Sequence, residues 1–179
     1  TYFYRVRSAD SLQNVASVPG PLDPPPSFAT PLARLSIAGT SGAEGTGAGG
    51  ELRFTVTLSP ASSQSVTVEF ATIDGTAVSG SDYVERAGTV TFAPGVTSQT
   101  ILLPLVGDAI DELDEAMLVV LSSPFNATIL VPQATGTLVD DDAAPVLTIG
   151  DVSVVEGNAG IVNATFTVTL SAPSARSVS

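Results

Sequence analysis

The sequence contains no cysteine, no histidine and no tryptophan. Without cysteine the chain can form no disulfide, thiolate nucleophile or cysteine zinc site. Without histidine it lacks the usual general base, the usual transition-metal ligand and the side chain that titrates near neutral pH. Lysine is missing as well. All 6 basic residues are arginine, set against 18 carboxylates, and the net charge over 179 residues is −12. Phosphate recognition needs clustered Lys and Arg, so nucleic acid is excluded as a partner. The longest apolar runs, Met117–Leu121 and Ile101–Val106, have five and six residues, far short of a membrane span. The chain opens on Thr1 without a charged-then-apolar leader, and it reads as an internal slice of something longer.

What is present is turn chemistry, with 16 Gly and 13 Pro. There is also a repeat. Residues 34–67 align without a gap on 146–179 at an offset of 112. Leu35 falls on Leu147, Ile37 on Ile149 and Glu44-Gly45 on Glu156-Gly157, and the stretch FTVTLS (54–59) recurs letter for letter at 166–171. A period near 110 residues is the size of an immunoglobulin-like sandwich, not of a solenoid repeat. One complete unit therefore spans 34–142, and 146–179 is the start of a second, truncated one, joined by the linker 143–145.

Within the full unit, period-2 alternation marks the strands. Leu52, Phe54, Val56 and Leu58 share one face, and so do Val66, Val68 and Phe70. Thr89–Phe92 closes on the turn Pro94-Gly95. With Leu35–Ile37, Thr100–Val106, Ala116–Leu121 and Thr135–Val139 the count is seven strands and no helix. The fold class is all-β, a seven-stranded antiparallel immunoglobulin-like sandwich with partial sandwich fragments at both ends.

Up-and-down strands send alternate loops to opposite poles. The loops 59–64, 94–99 and 122–133 carry no charge at all. Of the 14 carboxylates in 34–142, all but Glu69 fall at the other pole, among them Glu44, Asp82, Asp108, Glu112, Glu115 and Asp140-Asp141-Asp142. Such a patch repels itself unless something screens it. A hard divalent cation with oxygen ligands does so well, and Ca²⁺ accepts flexible geometry where Mg²⁺ does not. The alternatives are a solvated acidic end on a metal-free spacer, or a protein-binding module that grips a partner through these loops. Asp74-Gly75 reads as a turn in which Gly supplies a positive φ, and Tyr83 as core. Asn126 and Asn163 each open a glycosylation-type triplet, a pattern common by chance. Paired carboxylates could serve a glycosidase, but these lie in exposed loops with Tyr83 as the one nearby aromatic, so the segment is read as no enzyme.

Two resemblances follow. TYFYRVRSAD (1–10) is similar to the penultimate strand of a fibronectin type III domain, through Tyr2, Tyr4, Arg5, Val6, Arg7 and Asp10. That makes 1–19 the end of such a domain and 20–33, rich in proline, a semi-rigid linker. DGTAVSGSDY (74–83), GTVTFAPGVTSQTILLPLVGDAIDELDEAMLVVLSSP (88–124) and TGTLVDDD (135–142) strongly resemble the Calx-beta module of sodium/calcium exchangers, integrin β4 and large bacterial surface proteins. The resemblance implies calcium ligands at Glu44, Asp82, Asp108, the backbone of Ile110, Glu112, Glu115 and Asp140 to Asp142. Calcium-binding exchanger modules carry a longer Asp run where this chain has Gly107-Asp108-Ala109, which implies fewer ions or weaker binding. The function expected is calcium-dependent stiffening of a tandem array at a cell surface or outside the cell, for adhesion or cell communication. Its partners would be calcium ions, neighbouring sandwich domains and a surface or matrix protein.

Overall fold

The computed structural model describes residues 32–47 and 49–179. The fibronectin-like stretch 1–19 and the linker up to residue 31 lie outside the described residues.

Eleven strands and no helix occur among the described residues. They are β1 (Ala33–Ala38), β2 (Thr40–Ala43), β3 (Glu51–Ser59), β4 (Val66–Ile73), β5 (Ala87–Phe92), β6 (Ser98–Pro104), β7 (Glu115–Phe125), β8 (Ala127–Val131), β9 (Gln133–Val139), β10 (Leu147–Ile149) and β11 (Val168–Leu170). Two sheets face each other, one ordered β6-β3-β1-β8 and the other β2-β9-β7-β4-β5. The alternation in β3 is realised in full. Leu52, Phe54, Val56 and Leu58 are buried, while Glu51, Arg53, Thr55 and Thr57 face water. They pack with Leu35, Val66, Val68, Phe92, Leu103, Met117, Val119 and Leu138 in one apolar layer between the sheets.

The sandwich differs from the expected seven antiparallel strands by two additions, and both pair in parallel. The opening strand changes sheets at Gly39. Its first half, β1, lies beside β3, and its second half, β2, runs parallel to β9. The stretch 122–133, expected to be a plain loop, reverses at Asn126, whose φ is +59°. It then returns as β8, parallel to β1. Asn is among the few side chains that tolerate the left-handed region, and here its Nδ2 donates to the carbonyl of Ser65, 61 residues away, at 2.9 Å. Ala33, assigned to the linker from sequence, already pairs with Ala127 and is buried.

The hairpin β10–β11 repeats the register of β1–β3. Leu147 pairs with Leu170 and Ile149 with Val168, as Leu35 pairs with Leu58 and Ile37 with Val56. The apolar face that is covered in the first copy is open in the second. Phe166 is 57% exposed where Phe54 is 0%.

Candidate metal centre

Three backbone junctions assemble the acidic end. Strand β2 leads into Glu44, whose N–H donates to the Val139 carbonyl at 3.1 Å, bringing it beside the end of β9. The loop after it is folded tightly, with the Gly50 N–H donating to the Glu44 carbonyl at 2.6 Å. Beyond β6, the Val106 N–H donates to the Asp82 carbonyl at 2.9 Å, tying the loop after β4 to the segment that holds Asp108. Gly107 sits where no side chain fits, because a Cβ there would lie 1.6 Å from the Gly45 carbonyl oxygen. Glycine at this position lets the two backbones touch, and so sets Glu44 and Asp108 at one end. The opposite pole is joined separately, by the Gly95 N–H and the Ser62 carbonyl at 2.8 Å.

Glu44, Asp140 and Asp142 each offer a carboxylate oxygen within 4.8 Å of the others. Glu44 is 7% exposed. Its Oε1 and the Oδ2 of Asp142 are shut away from solvent without a hydrogen-bond partner. Burial pushes the Glu44 carboxyl up to about 7, reinforced by the charges of Glu112, Asp108, Asp140 and Asp142. Glu115 is likewise pushed up to about 7, by burial first and then by Asp82 and Glu112. Glu112 is raised by burial and by Asp108, Asp82, Asp140 and Asp142. Asp142 is raised by desolvation and by Asp140, Asp141 and Asp108, with Thr46 acting the other way. In each of these groups burial comes first in raising the carboxyl, and the charges of its neighbours add to it. The ion pairs among the described residues, Arg53–Glu51 and Arg176–Asp111, do not reach them.

Several other carboxylates each accept a hydrogen bond from the protein. Asp141 Oδ1 accepts the Gly45 N–H at 3.0 Å and holds the loop after β2. Asp108 Oδ1 accepts the Ile110 N–H at 2.7 Å, and Asp82 Oδ2 the Val78 N–H at 2.7 Å. Asp114, absent from the expected set, accepts the Asp140 N–H at 3.2 Å and so positions that residue. Asp74 is taken by the Tyr83 hydroxyl and the Ser79 N–H. The beginning of that turn is glycine for a reason other than a positive φ. A Cβ on Gly75 would lie 2.3 Å from the Ala116 carbonyl oxygen. Asp111, grouped with the loop acids from sequence, is buried and engaged by Ser174 and Arg176. Nothing local in the sequence signals that contact, since its partners lie 63 and 65 residues away.

A family model described as the Calx-beta domain matches residues 40–143. The sodium/calcium exchanger Calx of Drosophila melanogaster is 38% identical over 86 residues, which are 47% of this chain and 9% of that exchanger. The crystal structure of the apo-form Calx CBD1 domain superposes with a TM-score of 0.56 at 32% identity, covering 62% of this chain and 99% of that domain. The crystal structure of the calcium binding domain CBD12 of CALX1.1 gives 0.55 at 30% identity, with 65% of this chain and 48% of that one covered. The matched part is thus a small fraction of the exchanger and about half of the CBD12 chain.

Proposed function

The chain belongs to the Calx-beta family, and from that premise we propose that its acidic end binds Ca²⁺ with Glu44, Asp140 and Asp142 as the innermost ligands. One observation carries the reading: Glu44 Oε1 and Asp142 Oδ2 are buried without partners inside a group of converging carboxylates. An ionised carboxylate deprived of water and of any donor is costly, and a cation is the partner it lacks. The donor set is all oxygen and comes from loops of several strands, which suits the 6–8 flexible ligands of Ca²⁺. Asp108 and Glu112 would complete this centre. Asp82 and Glu115 would hold an adjoining ion, with the Ile110 carbonyl and the free oxygen of Asp141 at the margin. Bound calcium supplies charge neutralisation. The protein's own residues bring the ligands together and exclude water from one side.

Asp140–Asp142 passes through Ala143–Pro145 directly into β10. An ion held there would fix the direction in which the chain leaves the sandwich. We read 146–179 as the start of a second Calx-beta unit, supported by the shared register of β1–β3 and β10–β11 at an offset of 112. Calcium would then stiffen the junction of a tandem array, a mechanical role suited to adhesion or cell communication. It would act alike on either side of a membrane.

The test is a calorimetric calcium titration of the whole 179-residue chain, repeated with Asp140→Asn and Asp142→Asn together. Saturable heat that disappears in the double variant is expected. Heat no larger than that from NaCl of equal ionic strength overturns the calcium reading in favour of a metal-free spacer.

A further inference from the structure

Asp111 is the acid of the loop between β6 and β7 whose surroundings differ from the rest. It is 5% exposed, yet both of its side-chain oxygens are partnered. Ser174 Oγ donates to Oδ2 at 2.8 Å, and Arg176 Nη1 lies 3.2 Å from Oδ1. The backbone joins in, with the Ala175 N–H donating to the Asp111 carbonyl at 3.0 Å. A cleft of about 500 Å³ lies alongside, between Glu112, Leu113 and Glu115 on one wall and Ala175, Arg176 and Ser177 on the other.

The repeat shows what kind of segment has docked. At the offset of 112, Ser174 corresponds to Ser62 and Arg176 to Gln64. Both copies fold this loop in the same way. The Gln64 N–H donates to Ser62 Oγ at 3.0 Å, and the Arg176 N–H donates to Ser174 Oγ at 3.0 Å. In the first copy the loop belongs to the charge-free pole, beside Gly95. The second copy keeps the turn and changes one residue from neutral to cationic, and that residue faces the acidic end of the copy before it.

We propose that Asp111 is a docking point and not a metal ligand: the 174–176 turn of the following unit seats on it through Ser174 and Arg176, forming an interdomain contact that needs no cation. The proposal rests on the reading of 146–179 as a second unit, and it adds to the calcium reading without depending on it. The acidic end then has two separate functions. Glu44, Asp140 and Asp142 converge on the ion, while Asp111 is covered by the 174–176 turn. Removing Arg176 strands a buried carboxylate, which is why the contact is specific although the arginine itself is half-exposed.

The experiment is amide hydrogen exchange on the whole chain by NMR, in chelator and in calcium, for wild type, Arg176→Gln, Asp111→Asn and the control Arg34→Gln. Arg176→Gln restores the residue of the first copy and lies outside the sandwich core, so folding is preserved. In chelator the Ala175 amide should exchange on the order of ten-fold faster in Arg176→Gln and Asp111→Asn, the scale set by hydrogen bonds to a charged group. The control should match wild type, and 1 M salt should narrow the difference. Equal Ala175 rates in wild type and Arg176→Gln overturn the proposal. So does a loss of calcium stoichiometry in Asp111→Asn, which would make Asp111 a ligand. A chain that gives no calcium heat yet keeps the Ala175 effect sinks the calcium reading alone.

Discussion

The Tyr83 hydroxyl donates to Asp74 Oδ1, closing the loop that presents Asp82 from behind. Tyr83 is 1% exposed, and burial together with the Asp74 hydrogen bond pushes its phenol up to about 12, so the donor proton is kept at any physiological pH. Tyr83→Phe should therefore remove one charge-assisted hydrogen bond and leave the packing. The expected loss is about 1–2 kcal/mol, toward the lower end of the range for such bonds because Asp74 is partly hydrated. Urea unfolding of the metal-free chain checks it, and an unchanged midpoint would refute the bond's role.

Stability without metal should depend on pH with an unusual sign. Glu44 and Glu115 have folded-state values near 7 against an ordinary 4.5. The folded chain therefore binds protons more tightly than the unfolded chain does. Their penalty is absent below about pH 4.5 and grows as pH rises to about 7. Thermal melts in chelator between these limits should show falling stability from these groups. Calcium should flatten the slope, since the ion replaces the protons. A metal-free melt that rises steadily through this window contradicts the electrostatics described.

Gly107 should tolerate no substitution. Gly107→Ala must push the Gly45 carbonyl away, at a cost of about 1–3 kcal/mol, as for other overpacked sites. Gly107→Asp should fare no better, although it lengthens the acidic run toward that of exchanger modules. Calcium affinity should fall in both, because Glu44 and Asp108 are separated. Calorimetry showing tighter binding in Gly107→Asp would mean that the loop can rearrange to use the new carboxylate.

Calcium at about ten times its dissociation constant should stabilise the folded chain by about 1.4 kcal/mol for one site. Asp108→Asn with Asp140→Asn should abolish most of this and raise the metal-free melting temperature, because repulsion is relieved. Glu69→Gln, exposed in the middle of β4, should change neither quantity. Differential scanning calorimetry of the wild type, the double variant and the control, with and without calcium, decides the matter.

The parts of this fold legible in advance are those governed by short-range rules. Alternation in 51–58 gave the buried face of β3, and the up-down rule gathered Glu44, Asp108, Glu112 and Asp140 at one end. The parts that escaped depend on contacts between distant segments. The change of sheet at Gly39 and the return of β8 are set by which edge remains open, and periodicity carries no information about that. The acidic patch is also smaller than counting suggested, because Glu51, Asp74 and Asp111 are each claimed by a partner. The Glu51–Arg53 pair lies two residues apart on one face of β3 and is within reach of the alternation rule, whereas the claim on Asp111 comes from 65 residues away.

The parallel pairing of β2 with β9 has a kinetic meaning. The β1–β3 pairing closes over a short stretch of chain, and β10–β11 repeats its register. Gly45 and Asp141, by contrast, are 96 residues apart and meet only when β9 is laid down beside β2. Loop-closure entropy places that event late in folding. The carboxylates of Glu44 and Asp142 are therefore strangers until the sandwich is finished, and an ion that needs both of them would recognise the completed domain but none of its precursors.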